Sequence, residues 1–199
     1  MNILGIFASS IRRRLQVIAV AHNITPFISV YPFVSDFGTK YANPATLPTD
    51  NSFGVAFTNS VNSIAVAHAT SPYVTAYPWS AGFGTKYANP ATLPTGAGSG
   101  VAFTTAGNAI AVAHPSSPFV SIYPWSAGFG TKYANPATLP TGAGGGVAFN
   151  PSDAIVALAH TTTPFITAYP WSAGFGTKYA NPATLPTGQG QGINIKSII

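Results

Sequence analysis

Four histidines, His22, His68, His114 and His160, stand 46 residues apart. Neutral imidazole ligates metals, moves protons and supports nucleophiles, so a regular set of four invites a metal or acid–base reading. The rest of the composition restrains it. The 199-residue chain has no cysteine, and its three acids are Asp36, Asp50 and Asp153. Thiol nucleophiles, disulfides and cysteine-ligated clusters are therefore excluded. Paired carboxylates, or an aspartate to orient each imidazole, are scarce from the outset. No serine lies in a G-x-S-x-G elbow. The glycine runs at 96–100 and 142–146 lack G-x-G-x-x-G spacing, and no helix follows to receive a phosphate. The expectation is a protein without catalytic residues, metal or cofactor.

Two further sets keep the same period. Trp79, Trp125 and Trp171 follow Tyr77, Tyr123 and Tyr169 by two positions. An aromatic body with a polar tip suits a sugar-stacking platform, and it equally suits packing between neighbouring repeats. Both readings stand at this level. Lys40, Lys86, Lys132 and Lys178 form the third set. Lysine on an outer strand guards against unwanted sheet pairing, or offers a ring of positive charge to an anionic partner.

The elements that would position these groups are repeats. The twenty residues 77–96 recur letter for letter at 123–142 and 169–188. A fixed period of this length marks a repeat architecture. Within one unit, Gly54-Val-Ala-Phe57 is short and apolar, and Ile64-Ala-Val-Ala-His68 is built of β-formers and small residues. Tyr73-Val-Thr-Ala-Tyr77 alternates with period two. Phe83 opens a fourth expected strand, 83–88, after the turn Ser80-Ala81-Gly82. A Pro-rich and Gly-rich return loop closes the unit. The chain carries 20 glycines and 18 prolines, about a fifth of its length, which suits turns and excludes long helices. Since the His ends the second strand, its copies should lie well over ~10 Å apart, given strand spacing near 4.8 Å. Zinc ligands must come within about 2.0–2.1 Å. A structural role, bonding a turn or a hydroxyl, is expected for the imidazoles.

Four short antiparallel strands per unit make the blade of a β-propeller; a β-solenoid, the other periodic β architecture, has shorter coils. The unit resembles WD40-like propeller repeats, with Val-Ala-Phe innermost and a Trp ending the third strand, although the Gly-His and Trp-Asp dipeptides are missing. Ser-Pro-Tyr-Val-Thr-Ala-Tyr-Pro-Trp-Ser and Gly-Phe-Gly-Thr-Lys-Tyr-Ala-Asn-Pro-Ala-Thr-Leu-Pro-Thr-Gly look like tandem repeats of propeller proteins in tailed bacteriophages. This resemblance spans about residues 16–196. It implies an all-β propeller of about four 46-residue, four-stranded blades, at 16–53, 54–99, 100–145 and 146–191.

Both ends depart from the repeat. Gly192-Ile-Asn-Ile195 aligns with Gly146-Val-Ala-Phe149, so 192–199 reads as an innermost strand without the rest of its blade. The expectation is that it closes the ring by pairing with residues 16–22, leaving no exposed edge. Alternatively residues 4–9 fill that place, and the terminal strand pairs elsewhere, for instance with a neighbour. A two-chain ring of eight blades also agrees with the sequence. Residues 1–15 are an N-terminal arm or first strand. There, apolar Ile3, Leu4, Ile6 and Phe7 precede the only charge cluster, Arg12, Arg13 and Arg14. Exposed together, they would be an aggregation liability; covered by a partner, they would form an apolar anchor rimmed by charge.

Charged residues make up 6% of the chain and its formal net charge is +5. So few charges suit a subunit within a larger assembly. The arginine run alone could meet phosphates, and a solvated basic turn explains it as well, so nucleic acid is not expected as a partner. No apolar run reaches the roughly 20 residues of a membrane span, and arginines following an apolar start reverse the order of a signal peptide. Asn23-Ile24-Thr25 matches a glycosylation sequon, which only a secreted chain would use. The phage resemblance implies a virion component (tail, baseplate, fibre or capsid decoration) made in the host cytoplasm. Its partners would be other virion proteins, copies of itself or a host-surface glycan. A free lectin-like propeller is the competing reading.

Overall fold

A computed structural model describes residues 15–198. All of its regular elements are strands: β1 (Gln16–Ala21), β2 (Ile28–Phe33), β3 (Ser52–Phe57), β4 (Ser63–His68), β5 (Val74–Pro78), β6 (Gly100–Phe103), β7 (Ala109–Ala113), β8 (Val120–Pro124), β9 (Gly144–Phe149), β10 (Ile155–His160) and β11 (Ile166–Pro170). They form one two-stranded sheet, β1-β2, and three three-stranded sheets, β3-β4-β5, β6-β7-β8 and β9-β10-β11. Every pairing is antiparallel. Each sheet is one repeat, so the register follows the sequence period.

The fourth strand differs from expectation. Residues 83–88 do not form a ladder with β5. A single bridge joins Trp79 to Phe83, and Gly84 and Tyr87 donate to Pro78 O (2.9 Å) and Ala76 O (3.0 Å). Those two bonds belong to registers one residue apart, so no regular ladder can run between them. The blade has three strands and a loosely tied outer segment.

Period-two alternation gives each blade two unlike faces. On the second blade Val55, Phe57, Ile64, Val66, Tyr77 and Trp79 form a bulky face, which packs on Ile28, Val30, Val17 and Ala19 of the first. Ala65, Ala67, Val74 and Ala76 form its thin face, which receives Val101, Ile110, Val112, Tyr123 and Trp125 of the third. The third and fourth blades meet likewise. Bulky-on-thin packing lets sheets approach closely without voids. The central strands β4 and β7 are buried along their whole length.

Glycine is needed where the inner strands converge. A Cβ on Gly54 would meet Gly100 Cα at 3.0 Å, one on Gly100 would meet Gly146 Cα at 3.2 Å, and one on Gly146 would meet Gly192 Cα at 3.1 Å. The glycine runs thus serve close approach of neighbouring backbones.

The expected closure of the ring is not formed. β1 pairs with β2 alone among the described residues, and residues 192–198 belong to no strand. Gly192 instead continues the glycine column beside Gly146. Bulky-on-thin packing fixes the turn from blade to blade, so the terminal segment follows the fourth blade rather than crossing to the first. The candidate docking residues Ile3, Leu4, Ile6, Phe7, Arg12, Arg13 and Arg14 lie outside the described residues.

Candidate functional site

The histidines sit at the end of each second strand, where the turn to the third strand begins. His68, His114 and His160 are fully buried. His68 Nδ1 donates to Thr70 O (2.9 Å), which fixes the tautomer, and Nε2 accepts from Thr75 Oγ1 (2.8 Å). His114 repeats this with Ser116 O (2.8 Å) and Ser121 Oγ (3.0 Å). His160 keeps the hydroxyl contact, to Thr167 at 2.9 Å, while its Nδ1 has no partner. His22 bonds Ser29 at 3.1 Å. Burial disfavours the imidazolium and holds His68 and His114 down at about 4; His160 is lowered by the same cause. Among the described residues no three metal-ligating side chains cluster. Each ring ties its own blade's second and third strands.

The aromatic set lies between blades. Trp79, Trp125 and Trp171 are 5–6% exposed, and Tyr77, Tyr123 and Tyr169 are fully buried. Trp125 meets Tyr87 of the preceding repeat at 5.3 Å and Phe103 and Phe129 of its own at 5.1 Å, all edge to face. Trp79 and Trp171 have equivalent ring partners. Tyr77, Tyr123 and Tyr169 donate to Thr46 O, Thr92 O and Thr138 O at 2.7–2.8 Å, each 31 residues back in the preceding return loop. Each indole packs edge to face against three rings and each of these phenols is fully buried, so little of their surface is left for a sugar. Of the two uses left open for these six residues, packing is the one seen here, with the neighbouring blade lying against them.

The lysines lie on the loosely tied outer segments. Lys86 and Lys178 donate to Asn89 Oδ1 (2.5 Å) and Asn181 Oδ1 (2.6 Å), and Lys40 and Lys132 bond Asn43 and Asn135 in the same way. Each ammonium is folded onto its own loop.

One junction holds a polar recess that the periodic residues did not point to. It encloses about 310 Å³ between the second and third blades, lined by Thr58, Ser60, Asn62, Tyr87, Ser126 and the edge of Trp125, among others. The equivalent junction between the third and fourth blades carries a carboxylate. Asp153 accepts from Thr105 N (2.7 Å) and Ala106 N (2.8 Å) of the neighbouring turn. Asp153 aligns with Gly107, which has no side chain to reach across. The signal in the sequence is the variable turn after each inner strand, one of two turns in the repeat, with the turn after each His, where polar residues change from copy to copy.

No protein-family model matches the chain, and no curated protein matches it. Among solved structures it is similar to a protein from Lactobacillus plantarum determined by the Northeast Structural Genomics Consortium. The TM-score is 0.65, with 83% of this chain and 51% of that chain covered. Identity is 13%, so the likeness speaks for the fold alone. That neighbour is a bacterial β-propeller-like protein, and repeated antiparallel sheets of this kind define the present chain as an all-β propeller. The chain spans about half the length of its neighbour.

Proposed function

We propose that the protein is a non-enzymatic structural and interaction propeller, a component of a tailed-phage virion that contacts other virion proteins or copies of itself. The observation that carries this reading is where the reactive groups went. The imidazoles of His68, His114 and His160, the phenols of Tyr77, Tyr123 and Tyr169 and the three indoles are taken up within blades or between them. Among the described residues the outward surface is mainly hydroxyl, amide and apolar, with the repeat lysines folded onto their own loops, which suits permanent contacts. The phage-like repeats and sparse charge support the same assignment. Docking would run through the arm at 1–15, with Ile3, Leu4, Ile6 and Phe7 as the anchor and Arg12, Arg13 and Arg14 as its rim. Purified particles should contain the chain in fixed proportion to the other structural proteins. Removing residues 1–14 should leave a folded protein that no longer joins particles. Recovery of the intact chain only in the particle-free fraction would overturn the proposal.

The recess at Thr58, Ser60, Asn62 and Ser126 favours a second reading, a glycan-binding propeller, because hydroxyls and an amide converge beside an indole edge. Binding on a glycan array that Ser126→Arg abolishes would support it.

A further inference from the structure

The two ends of the chain are half-blades that fit each other. β1 and β2 form a blade without an inner strand among the described residues. Residues 192–195 belong to no strand in the structure but carry the sequence pattern of an inner strand. They already sit where the inner strand of a next blade belongs. A Cβ on Gly190 would meet Ala159 Cβ at 2.8 Å, as one on Gly98 meets Ala67 Cβ at 2.9 Å. Gly192 follows Gly146 as Gly146 follows Gly100.

The faces agree with this. Ile64, Val66, Tyr77 and Trp79 of the second blade's bulky face are 0–5% exposed against the first. Their counterparts on the first blade are Ile18, Val20, Tyr31 and Phe33, with Phe37 below them. None of these is buried; Val20 is 47% and Phe37 59% exposed. At the other end, Ile166, Ala168 and Tyr179 on the thin face of the fourth blade are more open than their copies within the chain, and Tyr179 is 45% exposed. Among the described residues, the first blade's bulky face and part of the fourth blade's thin face lie open, the two halves of the junction that this chain builds three times internally. Beside the free edge of β1 lies an apolar recess of about 590 Å³, lined by Val17, Ile18, Tyr41, Phe57 and Trp79 among others. It is the space that an inner strand paired to β1 would border.

We infer that two copies of this chain close one ring of eight blades, each copy's terminal segment completing the first blade of the other. By the register of β3 on β4, where Val55 faces Val66 and Phe57 faces Ile64, Ile193 of one copy faces Val20 of its partner and Ile195 faces Ile18. The alternation Ile193-Asn194-Ile195 puts both isoleucines on the bulky face, as Val55 and Phe57 are. Tyr31 then donates to the Thr184 carbonyl of the partner subunit, extending the series Tyr77–Thr46, Tyr123–Thr92 and Tyr169–Thr138. A head-to-tail contact that closes after two copies leaves no edge to propagate. This inference does not depend on a virion role.

Light scattering on the purified full chain should give the mass of two chains; a monomer, or any other chain number, overturns the inference. The chain has no cysteine of its own, so introduced thiols report unambiguously. Val20→Cys mixed with Ile193→Cys should yield a covalent two-chain species under oxidation. If the double variant V20C/I193C instead cross-links within one chain, the ring closes on itself and the inference fails. Ile193→Asp/Ile195→Asp should shift the assembly to monomer with unchanged far-ultraviolet circular dichroism; a retained two-chain mass would also overturn it.

Discussion

Acid should loosen this propeller within a narrow and predictable window. His68 and His114 are buried, each with Nδ1 donating to a carbonyl two residues on and Nε2 accepting from a hydroxyl. Burial lowers both from 6.5 to about 4. On His68 the Thr70 carbonyl and Asp50 act against burial while Lys86 adds to it; on His114 the Ser116 and Val120 backbone opposes and Lys132 adds. Between pH 6.5 and 4 the unfolded chain binds protons that the folded chain refuses, so stability is complete above pH 6.5 and falls as pH falls. At pH 5.5 each ring costs about 1.4 kcal/mol relative to pH 7.5, and the two together about 2.7 kcal/mol. Below pH 4 the loss levels off near 3 kcal/mol per ring. His160, also lowered by burial, adds to this. With no glutamate and three aspartates, imidazoles dominate proton uptake across this range. For a domain of this size the melting temperature should drop by roughly 5–11 °C between pH 7.5 and 5.5. Scanning calorimetry at matched ionic strength measures it, with histidine titrations by NMR alongside. The double variant H68N/H114N should be less stable at pH 7.5 and flatter with pH. A wild-type melting temperature that moves by under about 2 °C would refute the reasoning, as would titration of both rings near 6.5.

Four further outcomes follow from the junctions. Trp125→Ala removes an indole held by three rings and should cost about 3–5 kcal/mol in denaturant unfolding. Tyr123→Phe deletes the bond to Thr92 O and should cost about 1 kcal/mol, a loss expected equally of Tyr77→Phe and Tyr169→Phe because all three make the same contact. Gly98→Ala would press a methyl to 2.3 Å from Tyr73 O, a backbone atom that cannot swing aside, so the variant should melt well below wild type or fail to accumulate. Asp153→Ala removes two charge-assisted bonds across the third junction and should cost about 1–2 kcal/mol, less than Trp125→Ala because the site is exposed.

The first three strands of the second, third and fourth repeats were legible because their signals are local. Val-Ala-Phe, Ile-Ala-Val-Ala and Val-Thr-Ala-Tyr alternate with period two between turn residues, and each became a strand at that place. The absence of cysteine and glutamate was equally plain, being a matter of which side chains the chain contains. The fourth strand was not legible. Phe83 to Tyr87 has strand composition, but whether it pairs depends on register against β5, and the two bonds it makes there are out of step.

Pairwise geometry decided the rest. The sequence by itself determined the period, the strand positions and the two unlike faces of each blade. It left the tryptophans open to two uses, because an aromatic at a strand end packs or binds according to what lies across from it. Tertiary structure put the next blade there. It likewise joined His68 to Thr75 and Tyr77 to Thr46, contacts that depend on strand pairing and on the approach of neighbouring sheets. Whether the chain's two ends meet was beyond the sequence for the same reason. The turn from blade to blade is set by how bulky faces seat on thin ones, a sum of many small contacts that no local pattern encodes.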